Sequence, residues 1–341
     1  MKQWVQLIAA RKDAADFVRS ETLTQSAILP QRVDGVLLLD KPLGITSNRA
    51  LQSVKRLLHA AKAGHVGTLD PLASGLLPVC LGEATKFSTG TFGADKSYDA
   101  EILLGVTTTT GDTEGEVTSR QIVAVTREQV AAVLRRFTGT IEQTPPMYSA
   151  LKRDGKPLYA YARAGLTLAI TPRTITIHSI TLHRYAAERL QISVRCSKGT
   201  YIRVLAEDIG RALSCGATLA GLRRVTVGAF DLRRAVTLDR LETLPAAQRL
   251  TCLLPVDSLL SALPELLLDA DLVRRMVTGQ TSQIEHLGSP GLIRLYDQNR
   301  QFLGLGEIQP DGCLVPRRLV ATPVSEAAGD SGQDLQASRI S

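Results

Sequence analysis

The sequence predicts an α+β fold, on three observations: helix-like and strand-like patterns alternate without a βαβ rhythm, two half-exposed strands flank an amphipathic helix, and the texture turns β-rich after Pro255. The first element is Val36 to Asp40, an apolar run of strand length closed by Lys41-Pro42 and Gly44. Ser47 then caps a helix carrying Leu51, Val54, Leu57 and Leu58. Tyr98, Ala100, Ile102 and Leu104 fall on one face of a strand, with Asp99 and Glu101 on the other. Thr126 and Gln129 form a capping box before Val130, Val133, Leu134 and Phe137, with Gly139 as the stop. Leu190, Ile192, Val194 and Cys196 alternate with polar residues, and Thr200 is the expected N-cap of a helix starting near Tyr201. Beyond Pro255 a short helix around Leu272 and Met276 leads into strands at Gly291 to Tyr296 and Phe302 to Ile308.

At 341 residues the chain accommodates one large and one small domain, since a domain usually has about 100–200 residues. The expected division is a large domain over 31–254 and a β-rich one over 255–324. Residues 1–30 read as an extension without an apolar signal region, and 325–341 as a disordered tail rich in Ser, Ala and Gly. A mean hydropathy of +0.04 conceals no apolar run of the roughly 18 residues that a membrane helix needs. The net charge of +7 and pI ≈ 9.3 favour a polyanionic partner. Five scattered cysteines without a C-x-x-C pair, and histidines without ligand spacing, argue against a metal site and a disulfide framework. The cysteines read as mostly buried thiols of a cytoplasmic protein.

The segment Gly64-His65-Val66-Gly67-Thr68-Leu69-Asp70-Pro71-Leu72-Ala73-Ser74-Gly75-Leu76-Leu77 carries the chemistry. Its glycines allow tight turns, and Pro71 keeps Asp70 out of helical geometry, so a shaped loop presents a carboxylate. An isolated Asp-Pro pair would merely begin a turn. Here Leu69, Leu72, Leu76 and Leu77 are expected to crowd the carboxylate, and a buried carboxylate without a partner takes up a proton, so Asp70 requires a cation. Arg203 is a candidate: in the first turn of a helix its charge opposes the helix dipole, so a partner outside the helix explains it better. Without further information a solvated or phosphate-facing Arg203 is the first choice, and sequence spacing does not show that Arg203 and Asp70 meet.

The run GHVGTLDPLASGLLPVCLGEATKF resembles the catalytic motif of the TruB family, the tRNA pseudouridine-55 synthases. Asp40 to Ser47, Lys96-Ser97-Tyr98, Thr144 to Ala150, Cys196 to Arg203 and Leu219 to Arg224 match further family motifs in order and spacing. The resemblance spans roughly Asp34 to Val320. One departure is Thr108-Thr109-Thr110, where the family commonly has Thr-Asp-Thr, so Thr109 replaces the usual acid. The nearby Asp112, Glu114 and Glu116 lack EF-hand spacing and read as a solvated acidic loop.

The resemblance implies a pseudouridine-synthase domain with a central mixed, mainly antiparallel sheet and a small PUA-like RNA-binding domain. It implies isomerisation of uridine 55 in the tRNA T-loop, without cofactor or metal, by a monomer that flips the target base. Asp70 matches the catalytic aspartate, Arg203 the arginine paired with it, and Tyr98 the tyrosine that stacks on the target uracil. His65 matches the histidine that reaches into the RNA loop, and Tyr201 and Leu222 match residues lining the uracil pocket. Lys41, Lys86, Lys152, Arg153, Lys198, Arg223 and Arg224 lie in or beside these motifs and are candidates to follow the RNA backbone. The competing readings are an RNA-folding factor without catalysis and a guide-RNA-dependent relative acting on ribosomal RNA. The intact Asp70, Tyr98 and Arg203 set disfavours the first, and the absence of long Lys-rich tails disfavours the second.

Overall fold

The computed structural model describes residues 32–88, 93–186, 188–284 and 289–321. The expectations for 1–30 and 325–341 lie outside these residues. In chain order the main elements are β1 (Gly35–Lys41), α1 (Ser47–Leu57), β2 (Ala63–His65), β3 (Ala73–Leu81), β4 (Lys96–Leu104), α2 (Arg127–Arg136) and β5 (Gly139–Gln143). They are followed by β6 (Arg173–Ala186), β7 (Arg189–Cys196), α3 (Ile202–Ala212) and β8 (Ala217–Val227).

Along the large sheet the order is Val236–Thr237, β1, β3, β8, β4, β7, β6, β5. Within it β8 runs parallel to β3, and β1 runs parallel to Val236–Thr237; the other neighbours are antiparallel. β1 reads as an unbroken apolar run because both of its faces are covered. Leu37 and Leu39 enter the main core with α1 and α3, while Val36 and Leu38 pack with Phe87, Phe230, Leu259 and Leu260. β4 is covered on one face only: Tyr98, Ala100, Ile102 and Leu104 are buried, and Asp99 accepts a 2.6 Å hydrogen bond from Ser193 on the open face.

The Thr126 and Gln129 capping box forms, and Val130, Val133 and Leu134 are buried beneath α2. Gly139 does not stop that helix but opens β5; the last turn closes when the amides of Phe137 and Thr138 donate to the carbonyls of Leu134 and Arg135. The N-cap of α1 is Thr46, not Ser47, whose hydroxyl is used elsewhere. The N-cap of α3 is Tyr201, not Thr200, which donates to the Ser197 carbonyl instead.

A second, five-stranded sheet comprises β9 (Glu265–Leu267), β10 (Ser282–Gln283), β11 (Gly291–Tyr296), β12 (Phe302–Ile308) and β13 (Cys313–Leu319), with α4 (Ala270–Val277) against it. Leu268, Met276, Ile293, Leu295, Leu303, Ile308 and Leu314 form its core. At the junction of the two sheets, Phe87 meets Phe302 edge-on with ring centroids 5.4 Å apart. Lys86, expected to follow RNA, is committed here: its Nζ pairs with Glu83 at 2.7 Å and donates to the Leu319 carbonyl at 3.2 Å. The α+β architecture and the mixed, mainly antiparallel sheet are as expected from the sequence.

Candidate active site

Asp70 is placed by two ties on its flanks. Ser47 Oγ accepts from the Leu69 amide at 2.7 Å and donates to the Leu69 carbonyl at 2.9 Å, while the Gly44 amide donates to the Pro71 carbonyl at 2.9 Å. Gly67 has φ +72, and a Cβ there would stand 3.1 Å from Arg224 Nη1, so this turn of the loop requires glycine. The loop therefore presents Asp70 rigidly into a cavity of ≈ 360 Å³ whose walls include Tyr98, Leu151, Lys198, Tyr201, Arg203 and Leu222.

Arg203 Nη2 lies 3.0 Å from Asp70 Oδ2. The same guanidinium faces Asp112 Oδ2 at 3.6 Å and donates to the carbonyls of Thr110 at 3.0 Å and Tyr148 at 2.7 Å. A cation whose side chain is only 8% exposed thus has two carboxylates and two carbonyls around it, which offsets its desolvation. The expected leucine crowding of Asp70 is corrected: its side chain is 46% exposed, because Leu69, Leu76 and Leu77 turn into the cores beneath the loop. Asp112 corrects a second expectation. It is 5% exposed, accepts from Thr110 Oγ1 at 2.6 Å, and belongs to the Arg203 network, not to a solvated loop. Glu114 and Glu116 are exposed as expected, and Thr109 is exposed with its hydroxyl accepting from the Glu116 amide.

Tyr98 is buried on β4 beside the Arg224 guanidinium, and burial pushes the phenol pKa upward. Arg224 is 1% exposed and contributes to the cavity lining, donating to the carbonyls of Leu76 at 2.7 Å and Gly67 at 2.8 Å. It is buried scaffold, and the expectation that it follows RNA on the surface is corrected. Lys41 is corrected in the same way: wholly buried, its Nζ ties the Asp40 to Ser47 turn through the carbonyls of Pro42 at 2.9 Å and Ile45 at 2.7 Å. Arg223 faces the other side of the sheet, with Nη2 2.6 Å from Asp40 Oδ2. Lys152, Arg153 and Lys198 are exposed, and only Lys198 among them lines the cavity.

His65 stands at the end of β2, outside the residues that line the cavity; burial and then the charge of Arg224 push its imidazole pKa downward. Tyr201 and Leu222 do line the cavity, and burial raises the Tyr201 phenol pKa. Lys96, to which the sequence motifs assign no role, also lines it, its amine pushed downward by burial and then by Arg224. The period-2 pattern could have found it, since Lys96 shares the face of Tyr98 on β4. A larger cleft of ≈ 610 Å³ on the far face, lined by Asp99, Glu101, His183 and Arg223, contains neither Asp70 nor Arg203.

Burial lowers the Lys41 amine from its ordinary 10.5 to about 8. The unfolded chain then holds more protons than the folded one between these values, so Lys41 contributes stability above its unfolded pKa that is lost as pH falls through about 8. Lys41→Met is expected to abolish the corresponding rise in stability, read as denaturant midpoints at pH values on both sides of that interval. An unchanged pH dependence would contradict the burial of this amine.

The fold and this aspartate-centred cavity can be set beside known proteins. The structure is similar to that of an archaeal box H/ACA sRNP Nop10-Cbf5 complex, with a TM-score of 0.61 at 26% identity over 82% of this chain and 80% of the other. It is also similar in fold to an H/ACA RNP bound to a substrate RNA containing 2′-deoxyuridine, with a TM-score of 0.62 at 24% identity over 85% of each chain. The model for TruB family pseudouridylate synthase (N terminal domain) matches residues 55–202, and that for tRNA pseudouridylate synthase B C-terminal domain matches 203–261. The model for Pseudouridine synthase II TruB, C-terminal, matches 264–320. Fold and site therefore define an enzyme of the pseudouridylate synthase class. Two relatives named tRNA pseudouridine synthase B are each 54% identical: one from Methylobacillus flagellatus covers 85% of this chain and 96% of the relative, and one from an Azoarcus species covers 87% and 99%. The chain belongs to the TruB family.

Proposed function

We propose that this enzyme converts uridine 55 in the T-loop of tRNA to pseudouridine, with Asp70 as nucleophile. The observation that carries this reading is the 3.0 Å pairing of Asp70 with Arg203 at the mouth of a cavity walled by Tyr98, Tyr201 and Leu222. A flipped pyrimidine fits such a wall, since stacking on an aromatic ring recovers roughly 1–3 kcal/mol, comparable to the few kcal/mol that extrusion costs. Asp70 attacks the target nucleotide and the C–N glycosidic bond breaks; the freed uracil turns, a C–C bond forms to its C5, and the bond between Asp70 and the nucleotide breaks, returning the free carboxylate. The C5 proton leaves to solvent and N1 carries a proton in the product, so atoms balance without any co-reactant.

Arg203 holds the carboxylate in place, and the apolar wall keeps water from the intermediate. The exposed Lys152, Arg153 and Lys198 supply phosphate contacts near the cavity. We assign catalysis to residues 31–254 and a supplementary grip on tRNA to 255–324, acting in the cytoplasm as a monomer. His65 acts, in this reading, at the rim of the site and not within its wall.

The test is tritium release from a tRNA transcript labelled at uridine C5, followed by mapping of the modified nucleotide. Modification confined to the T-loop position supports the assignment, and modification elsewhere overturns it. Tyr98→Phe keeps the ring but removes the hydroxyl beside Arg224. It is expected to bind tRNA as the wild type does and turn over roughly 10–100-fold more slowly, the scale expected when a positioned group shifts by a fraction of an ångström. Equal turnover would confine Tyr98 to stacking.

A further inference from the structure

The amide at the start of α3 has an unusual partner. Tyr201 is the N-cap, yet its own side chain makes no capping bond. Its backbone N–H instead donates to Gln143 Oε1 at 2.8 Å, and its carbonyl accepts from Gln143 Nε2 at 3.1 Å while also accepting the first helical bond from Leu205 at 3.0 Å. Gln143 is 3% exposed and ends β5, where its backbone is paired with Arg173 of β6. One side chain thus ties a sheet strand to both backbone groups of Tyr201, two residues before Arg203. It also begins the segment leading to Tyr148, whose carbonyl holds Arg203 Nη2 at 2.7 Å.

We propose that Gln143 is a positioning residue for the reaction, fixing the N-terminus of α3 so that the Tyr201 ring and the Arg203 guanidinium meet Asp70 and the substrate in register. The proposal rests on the site reading given above. A primary amide is suited to this place because it donates and accepts in one plane without charge. A thioether has no donor and accepts only weakly, and a carboxylate only accepts. A protonated carboxyl does both, and a carboxyl buried as Gln143 is holds its proton up to roughly pH 8–9.

The chemistry of these groups sets the experiment. In Gln143→Glu the neutral acid preserves both bonds; once ionised it loses the donor and faces the Tyr201 carbonyl. The charged groups around the tether are Arg173 on β6 and Arg203 on α3, with Asp70 across the cavity. Single-turnover rates are therefore taken as the ratio of variant to wild type at each pH, which cancels their shared influence. The ratio for Gln143→Glu is expected near one at about pH 6 and to fall roughly 100-fold as pH rises through the ionisation of the new carboxyl, with tRNA affinity unchanged within about twofold. Gln143→Met is expected to be slower by roughly 100-fold at every pH. A role in stability alone would lower the melting temperature and leave the Glu ratio flat with pH.

Amide hydrogen exchange at Tyr201 reads the tether without substrate. In Gln143→Met it should accelerate by at least about tenfold relative to the amide of Leu205, whose helical bond remains. A pH-independent ratio for the Glu variant, or unchanged Tyr201 exchange in the Met variant, overturns the proposal. Failure of the functional reading is distinguishable, because wild-type protein would then leave the T-loop uridine of tRNA unmodified while the Tyr201 amide still responded to Gln143→Met.

Discussion

Asp70→Asn is expected to reduce pseudouridine formation by roughly 10⁴-fold or more, the scale on which removal of a nucleophile is felt. The loss should fall on the chemical step alone. Asn has the same shape, and the ties from Ser47 to Leu69 and from Gly44 to Pro71 do not involve the side chain, so the loop keeps its form. Arg203 keeps Asp112 and the carbonyls of Thr110 and Tyr148. A pair whose carboxylate is 46% exposed contributes only about 0–1 kcal/mol to stability, so the melting temperature should barely move. The measurement is single-turnover tritium release beside tRNA affinity and thermal unfolding. A variant with turnover within tenfold of wild type would remove Asp70 from the role of nucleophile.

Arg203→Met should behave differently, losing both activity and stability. Its removal leaves Asp112, 5% exposed, without the cation that compensates it, and breaking a buried pair in this way typically costs about 3–5 kcal/mol. Turnover should fall by roughly 10³-fold as Asp70 loses the group that orients it. The double variant Arg203→Met with Asp112→Asn separates the two effects. Removing the stranded charge should restore most of the stability and none of the activity, read from denaturant unfolding and tritium release on the same preparations. Recovery of turnover in the double variant would mean that Arg203 served only to neutralise Asp112.

Elements with a local cause were legible in the sequence. The alternation in β4 follows from one covered face, and α2 begins at Thr126 because its capping box lies within four residues of chain. The turn around Asp70 was legible for the same reason, since Pro71 and Gly67 act on their own backbone. Charge could not be read in this way. Lys41 and Arg224 look like surface cations in sequence, yet both are buried, Lys41 on the Pro42 and Ile45 carbonyls of its own turn and Arg224 on the distant carbonyls of Leu76 and Gly67. Asp112 looks like one of three loop acids until Arg203, 91 positions along the chain, is brought to it.

By itself the sequence determined the alternation of strands and helices, the loop that presents Asp70, and the family to which the chain belongs, because periodicity, turn chemistry and ordered motifs are properties of neighbouring residues. Only the tertiary structure decided which charges are buried and paired, that Asp70 is half open to solvent while Arg203 beneath it is not, and that Gln143 holds the helix carrying the cation. The physical reason is that the free energy of a charge or an amide depends on what surrounds it in space, and for Arg203, Arg224 and Gln143 those surroundings come from segments far apart along the chain.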